Sequence, residues 1–230
     1  MKTFPSRTSL FCLFLALCLA AAESAAAQSY KAEALSEPPP SELAAPVRNA
    51  VSATGIRVTG PSGALCDIWL GKAVPGKANA PQSLGVVFPQ FAQGTLMAVI
   101  RFPNSVKDYR KQLIKAGVYT LRYALAPENG NHMGVAPQRD FVLASPAAAD
   151  QDPSTLTIDQ TLALSRKATG SNHPSVWSLA PPEDHPKSLP SVFHLDEGDL
   201  WLVEFQLPVQ GGTGSPLPMA LVVVGFAPEA

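Results

Sequence analysis

Cysteine is scarce in this sequence of 230 residues. Only Cys12, Cys18 and Cys66 occur, and the first two lie inside an apolar segment near the N-terminus. Removal of that segment would leave Cys66 alone, so no intramolecular disulfide could form in an oxidising compartment. Cys66 stands within an apolar alternation, which predicts an inert core side chain and not a reactive thiolate. The fold must therefore be stabilised by an ordinary hydrophobic core.

Blocks of basic residues and long apolar runs are also missing. Lys and Arg together number 17 against 18 Asp and Glu, so the formal net charge is −1. Because the sequence has no block of basic residues, we expect neither nucleic acid nor an anionic membrane surface as a partner. Beyond the N-terminal segment, prolines and glycines interrupt every apolar run before it reaches the roughly 20 residues that span a bilayer. The sequence therefore predicts no transmembrane span.

The first 27 residues have the three parts of a secretory signal peptide. Lys2 and Arg7 form a positively charged start, Leu10–Ala22 is apolar, and Ala25–Ala27 supplies the small residues of a cleavage site. This arrangement is the one that export machinery recognises and removes. The sequence therefore predicts an exported protein, either periplasmic or extracellular.

Residues 28–49 have the composition of a flexible leader. The segment is rich in Ala, Glu and Pro, with three consecutive prolines at Pro38–Pro40 and few large apolar side chains. Such a segment buries too little apolar surface to offset the entropy lost on ordering. The predicted organisation is a signal peptide over residues 1–27, a leader over 28–49 and one folded domain over 50–230.

Within this domain, short apolar alternations are separated by Gly and Pro, which is typical of β-strands. Between seven and nine strands are predicted, and the clearest lie at 54–60, 65–70, 94–102, 118–126, 139–145, 192–195, 200–209 and 217–226. The pattern indicates an all-β protein formed by a single β-sandwich of immunoglobulin-like or jelly-roll topology. A closed β-barrel is the alternative.

Helical signals are few, so at most one or two short helices are expected. The best candidate begins near Asp159, a plausible N-cap, and ends at Gly170,. Residues 104–115 could add one or two helical turns or a charged crossover. Residues 172–190 contain five prolines and no periodicity, which predicts a loop,.

The loop between the strands at 118–126 and 139–145 gathers the polar side chains that could do chemistry. It contains Asn131 and His132, and Arg139 and Asp140 follow at its end. Arg139 could recognise a carboxylate or sugar hydroxyls with its planar guanidinium, or it could form a structural ion pair with Asp140. This loop is therefore the first candidate for ligand binding.

A metal site could use His132 and Asp140 with a histidine from the C-terminal third, namely His173, His185 or His194. None of these residues shows a recognised ligand spacing, such as two histidines on one helical face. Ordinary loop or surface positions are the alternative for each histidine. No phosphate-binding loop, dinucleotide fingerprint or nucleophile elbow occurs, so no cofactor is identified and binding is favoured over catalysis.

Aromatic side chains offer a second kind of binding surface, because a flat ring can stack on a sugar. Trp69 and Trp201 lie within predicted strands, where core packing is the commoner use of a large ring,. Trp177 lies in the proline-rich segment that is predicted to be a loop. Trp177 is therefore the expected stacking platform.

The segment Lys115–Pro146, and more loosely Cys66–Val74, resembles a stretch in uncharacterised secreted bacterial proteins. Its Gly-Val-Tyr-Thr-Leu core at Gly117–Leu121 resembles a strand of immunoglobulin-like bacterial modules. The resemblance implies a secreted β-sandwich and no particular activity. We expect a secreted or periplasmic binding or accessory module for a small ligand, a carbohydrate or an envelope protein. The alternatives are a metal-assisted hydrolase centred on His132 and Asp140 and a structural component of an envelope assembly.

Overall fold

The fold is dominated by β-structure, as the sequence predicts. The structure is a computed structural model that describes residues 29–129, 136–183, 188–211 and 216–228. Its strands are β1 Lys31–Leu35, β2 Gly55–Gly60, β3 Gly63–Leu70, β4 Val74–Pro75, β5 Leu96–Phe102, β6 Val106–Lys107, β7 Leu113–Ile114, β8 Gly117–Leu125, β9 Asp140–Pro146, β10 Ser175–Ala180, β11 Ser191–Leu195, β12 Leu200–Leu207, β13 Val209–Gln210 and β14 Leu217–Val224. The two helices in the described ranges are α1 Ala45–Ala50 and α2 Ile158–Thr169. No described helix has the length and apolar character needed to cross a membrane.

Ten of the strands form one sheet in the order β1-β2-β3-β5-β8-β9-β10-β14-β12-β11. Every neighbouring pair in this sheet is antiparallel. The two edge strands, β1 and β11, contact each other, and the rings of Tyr30 and Trp201 lie 4.8 Å apart beside them. The sheet is therefore nearly closed into a barrel, which agrees with the all-β prediction but does not confirm a β-sandwich.

Strand β8 shows how the sheet is covered on both sides. Its inward side chains Tyr119, Leu121 and Tyr123 belong to the main hydrophobic core. On the outward face Arg122 is completely buried, because the segment that follows β9 folds back over it. Arg122 Nε donates a 2.7 Å hydrogen bond to Asp150 Oδ2 within that segment. The alternation of β8 predicts a half-buried strand, whereas the structure covers both faces.

The segment predicted as a flexible leader is ordered in the structure, and the prediction is corrected here. Residues 31–35 form β1, which pairs along β2 and so satisfies its backbone groups at the sheet edge,. Leu35, Leu43 and Val47 are buried in one cluster with Trp69. A few well-spaced apolar side chains therefore suffice, because the existing sheet supplies both a pairing edge and an apolar surface.

Two further segments differ from their predictions. Residues 172–190 contain strand β10. The prolines of this segment lie outside the strand, so they do not interrupt its pairing with β9,. Residues 104–115 form the short antiparallel pair β6 and β7 instead of helical turns. The N-cap of helix α2 is Thr157, which forms a capping box two residues before the predicted Asp159, and the helix ends as predicted at Gly170, which has a left-handed conformation,.

Candidate functional site

Asp140 is a structural acceptor and not an available metal ligand. It is fully buried at the start of β9. Its carboxylate accepts hydrogen bonds from the backbone N–H groups of Val87 and Phe88 at 2.8 and 3.0 Å and from the Tyr123 hydroxyl at 2.6 Å. The carboxylate thus holds the loop before β5 against the sheet, which corrects the metal hypothesis at this residue.

Arg139 does not pair with Asp140, so the predicted structural ion pair is wrong. Its guanidinium forms an ion pair with Glu128 instead, and its Nε donates to the Ala126 carbonyl oxygen at 2.9 Å. Its backbone N–H donates to the Gly85 carbonyl oxygen at 2.7 Å. Arg139 is half-buried and forms part of the wall of a cavity. Its role in ligand binding therefore stays a prediction.

Trp177 cannot serve as the predicted stacking platform, because only 2% of it is exposed. It lies on β10 with its ring stacked on Phe102, the centroids being 5.0 Å apart and the planes inclined by 22°. Its Nε1 donates to Ser175 Oγ at 3.0 Å. The expectation of a sugar platform at Trp177 is therefore wrong, since the ring is part of the core.

The described candidates for metal binding do not converge. Asn131, His132 and His185 lie outside the described residues. His173 is exposed near the end of α2, whereas His194 lies on β11 and contacts Asp199 Oδ1 at 2.7 Å through its Nε2. Two strands of the sheet separate β10, which follows His173, from β11. Within the described ranges, no three His, Cys, Asp or Glu side chains are grouped so that they could hold a metal ion.

A cavity of about 520 Å³ lies instead between helix α2 and the outward face of the sheet. We call it the helix-covered cavity. Helix α2 is fixed over β9 and β10 because Ser165 Oγ donates to the Ala144 carbonyl oxygen at 2.8 Å and accepts from the Ser175 N–H at 2.9 Å. The main apolar residues that line the cavity are Tyr109, Phe141, Leu143, Ile158, Leu162 and Val176. The interior therefore presents an apolar surface suited to an apolar ligand.

Polar side chains from several segments also line this cavity. They are Gln93, Arg110, Arg139, Arg166, Asn172 and His173. Among the described lining residues there are three arginines and no Asp or Glu. Arg166 is oriented by a 2.8 Å hydrogen bond from its Nε to the Asn172 carbonyl oxygen. The cavity thus combines an apolar interior with a positively charged set of hydrogen-bond donors.

A buried carboxylate, Asp108, positions one wall of the cavity. It accepts hydrogen bonds from the backbone N–H groups of Arg110, Gln112 and Val176 at 3.0, 2.8 and 3.0 Å. Burial raises the pKa of Asp108 above its ordinary value, and these hydrogen bonds lower it by less,. Tyr109 is held in the same wall, because its N–H donates to the Val176 carbonyl oxygen at 2.9 Å. The turn at residues 108–112 therefore places Tyr109 and Arg110 in the wall of the cavity.

The sequence does contain a signal for this cavity that was overlooked. In β9 the inward residues Val142 and Ala144 are apolar, and the outward residues Phe141 and Leu143 are apolar too. A strand with two apolar faces needs a cover on both sides. Helix α2 supplies this cover, with Ile158 and Leu162 as its apolar residues on the cavity side.

The resemblance of Gly117–Leu121 to immunoglobulin-like modules stays a prediction. These residues form the first half of β8, which lies near the middle of the large sheet. That position shows a β-structure and does not distinguish one family of β proteins from another. No family model, curated protein or solved structure matches the chain.

Proposed function

We propose that this protein is an exported binding module that takes a small molecule into the helix-covered cavity. The observation that carries the proposal is the volume of about 520 Å³ with a mainly apolar lining and a few polar groups. Small-molecule sites in proteins are concave, mostly apolar, and range from about 300 to 1,000 Å³. The predicted signal peptide supports a periplasmic or extracellular location.

The cavity reaches the surface of the protein, because exposed residues such as Gln93, Arg166 and His173 border it. A small molecule could therefore reach its apolar lining. Helix α2 packs closely on β9 through the buried side chains Thr161 and Ser165, yet Ile158 and Leu162 line the open space. The same helix thus makes a tight contact through one row of side chains and borders a ligand-sized space with the neighbouring row.

The other functions considered from the sequence have less support. The hypothesis of a metal-assisted hydrolase is weakened, because the Asp140 carboxylate already accepts three hydrogen bonds. The hypothesis of carbohydrate stacking is weakened, because Trp177 lies in the core. An envelope-assembly role would be favoured by a large exposed apolar patch, and the exposed large apolar residues in the described ranges are five: Leu84, Val87, Leu113, Leu195 and Phe226.

Filling the cavity should weaken binding of an apolar probe. We expect Leu162→Trp to weaken binding of the neutral fluorophore N-phenyl-1-naphthylamine by about tenfold or more, which equals about 1.4 kcal/mol. The larger ring would occupy the space that the Leu162 side chain borders. A fluorescence titration of the purified protein measures the dissociation constant.

Leu164→Trp is the matched control for this experiment. Leu164 is also a half-buried leucine of α2, but it borders an open groove beside residues 149–152 and not the helix-covered cavity. Its variant should bind the fluorophore within about twofold of the wild type, a difference below 0.5 kcal/mol. Equal binding by the Leu162→Trp variant and the wild type would contradict the proposed site.

A further inference from the structure

We infer that the ligand of the helix-covered cavity is an amphiphilic carboxylate, with an apolar body inside the cavity and its anionic group against Arg110 and Arg166. This inference rests on the proposed binding function and adds the chemical class of the ligand. Three observations carry it: the arginines that line the cavity, the Arg110 guanidinium without a partner among the described residues, and the apolar interior.

The positive charge of the cavity is not a consequence of a generally basic chain. The protein has a formal net charge of −1, yet its described cavity lining contains three arginines and no acidic residue. They come from three separate places: the turn after β6, the start of β9, and the last turn of α2. Glu128 neutralises Arg139, which leaves Arg110 and Arg166 as the cations available to a ligand.

The guanidinium N–H groups of Arg110 are available to a ligand. Within the described ranges, the only hydrogen bond of Arg110 to a side chain comes from its backbone N–H and not from its guanidinium, although the residue is half-buried in the cavity wall. The nearby carboxylate of Asp108 accepts from the backbone N–H of Arg110 and not from its guanidinium. Arg166 uses its Nε for the Asn172 carbonyl oxygen, which leaves its terminal nitrogens for a ligand. Arg110 and Arg166 therefore both offer N–H donors to a ligand in this cavity.

The chemistry of these donors selects a carboxylate over a sugar. The planar guanidinium presents paired N–H donors that match the two oxygens of a carboxylate, and such charge-assisted bonds are about twice as strong as neutral ones. A carbohydrate would have to place its hydroxyl groups among Phe141, Leu143 and Leu162, where they would lack hydrogen-bond partners,. An alkyl or aromatic body meets no such penalty there.

Decanoate and 1-decanol provide a matched pair of probes, because they share the apolar chain and differ in the charged group. We expect the wild type to bind decanoate about tenfold more tightly than 1-decanol, as judged by displacement of N-phenyl-1-naphthylamine. In Arg110→Met and in Arg166→Met the preference should fall to about threefold or less, with 1-decanol binding unchanged. Arg48→Met, a half-buried arginine of α1 away from the cavity, should keep the wild-type preference.

The outcomes separate the inference from the proposed function. Equal binding of decanoate and 1-decanol by the wild type would overturn the inference and leave the binding function standing. A preference for decanoate that survives in both arginine variants would overturn the assignment to Arg110 and Arg166. Failure of the wild type to bind the fluorophore and both probes would instead overturn the proposed function. The fluorescence titration also reports whether each variant retains the neutral site, so a misfolded variant is recognised.

Discussion

Replacement of Arg122 by Met should lower the free energy of unfolding by about 3–5 kcal/mol, the largest effect that we expect of any single substitution. Arg122 and Asp150 are both buried, with a 2.7 Å bond between Nε and Oδ2 and a 2.9 Å bond between Nη2 and Oδ1. Arg122 Nη1 also donates to the carbonyl oxygens of Gly94 and Ser154 at 2.7 and 2.8 Å. The variant would leave the buried Asp150 carboxylate without its cationic partner, with only the Thr120 hydroxyl still donating to it, and would leave two carbonyl groups without this donor. Urea-induced unfolding of the purified protein measures the difference.

Two further variants show whether the lost ion pair is the cause. Adding Asp150→Leu to Arg122→Met removes the unpaired charge, so the double variant should recover about 1 kcal/mol or more relative to Arg122→Met. Arg48→Met, which changes the same residue type in α1, should alter the unfolding free energy by about 0.5 kcal/mol or less,. A loss below about 1 kcal/mol for Arg122→Met would show that the covering segment does not depend on this pair.

The second large effect concerns Asp140. We expect Asp140→Ala to destabilise the protein by about 3 kcal/mol, because two backbone N–H groups and one buried hydroxyl lose their shared acceptor, and each loss costs about 1–3 kcal/mol without full additivity. The N–H groups belong to Val87 and Phe88, and the hydroxyl belongs to Tyr123. Hydrogen exchange should speed up at these two amides, while protection in β8 is retained. Urea unfolding combined with amide exchange measures both effects.

Tyr123→Phe is the control that separates the hydroxyl from the backbone groups. Burial and the hydrogen bond to Asp140 raise the pKa of Tyr123, so its hydroxyl stays protonated and donates to the carboxylate,. Its removal should cost only about 1 kcal/mol and leave the exchange at Val87 unchanged. If Asp140→Ala and Tyr123→Phe have equal effects, the carboxylate does not hold the loop as the structure indicates.

Much of the sheet could be predicted from local patterns, because the burial of a strand's faces determines where apolar residues occur in its sequence. The alternation in β8 and the apolar run of β14 predict strands at the observed places. Cys66 is confirmed as a buried core residue, and burial raises the pKa of its thiol. By contrast, β1 depends on pairing with β2 about 25 residues later in the chain, and its own composition is that of a leader. Such long-range pairing leaves no local signal.

The cavity was harder to predict, because its residues come from distant segments. Tyr109, Phe141 and Leu162 meet only after the sheet and α2 have formed, and each looks like an ordinary core residue in the sequence. The polar residues of the loop predict a chemical role for Asp140, whereas its carboxylate accepts backbone hydrogen bonds. Trp177 was assigned to a loop because of prolines that flank its strand without entering it.

The most direct measurement of the central claim is a methyl NMR titration of the purified protein with decanoate. The cavity predicts saturable chemical-shift changes at the methyl groups of Leu143, Leu162 and Val176, which line it from β9, α2 and β10. The exposed methyl groups of Leu84 and Leu113 should stay unchanged, because neither residue borders the cavity. Shifts confined to these exposed leucines, or no saturable shift at the three cavity residues, would contradict a ligand site beneath helix α2.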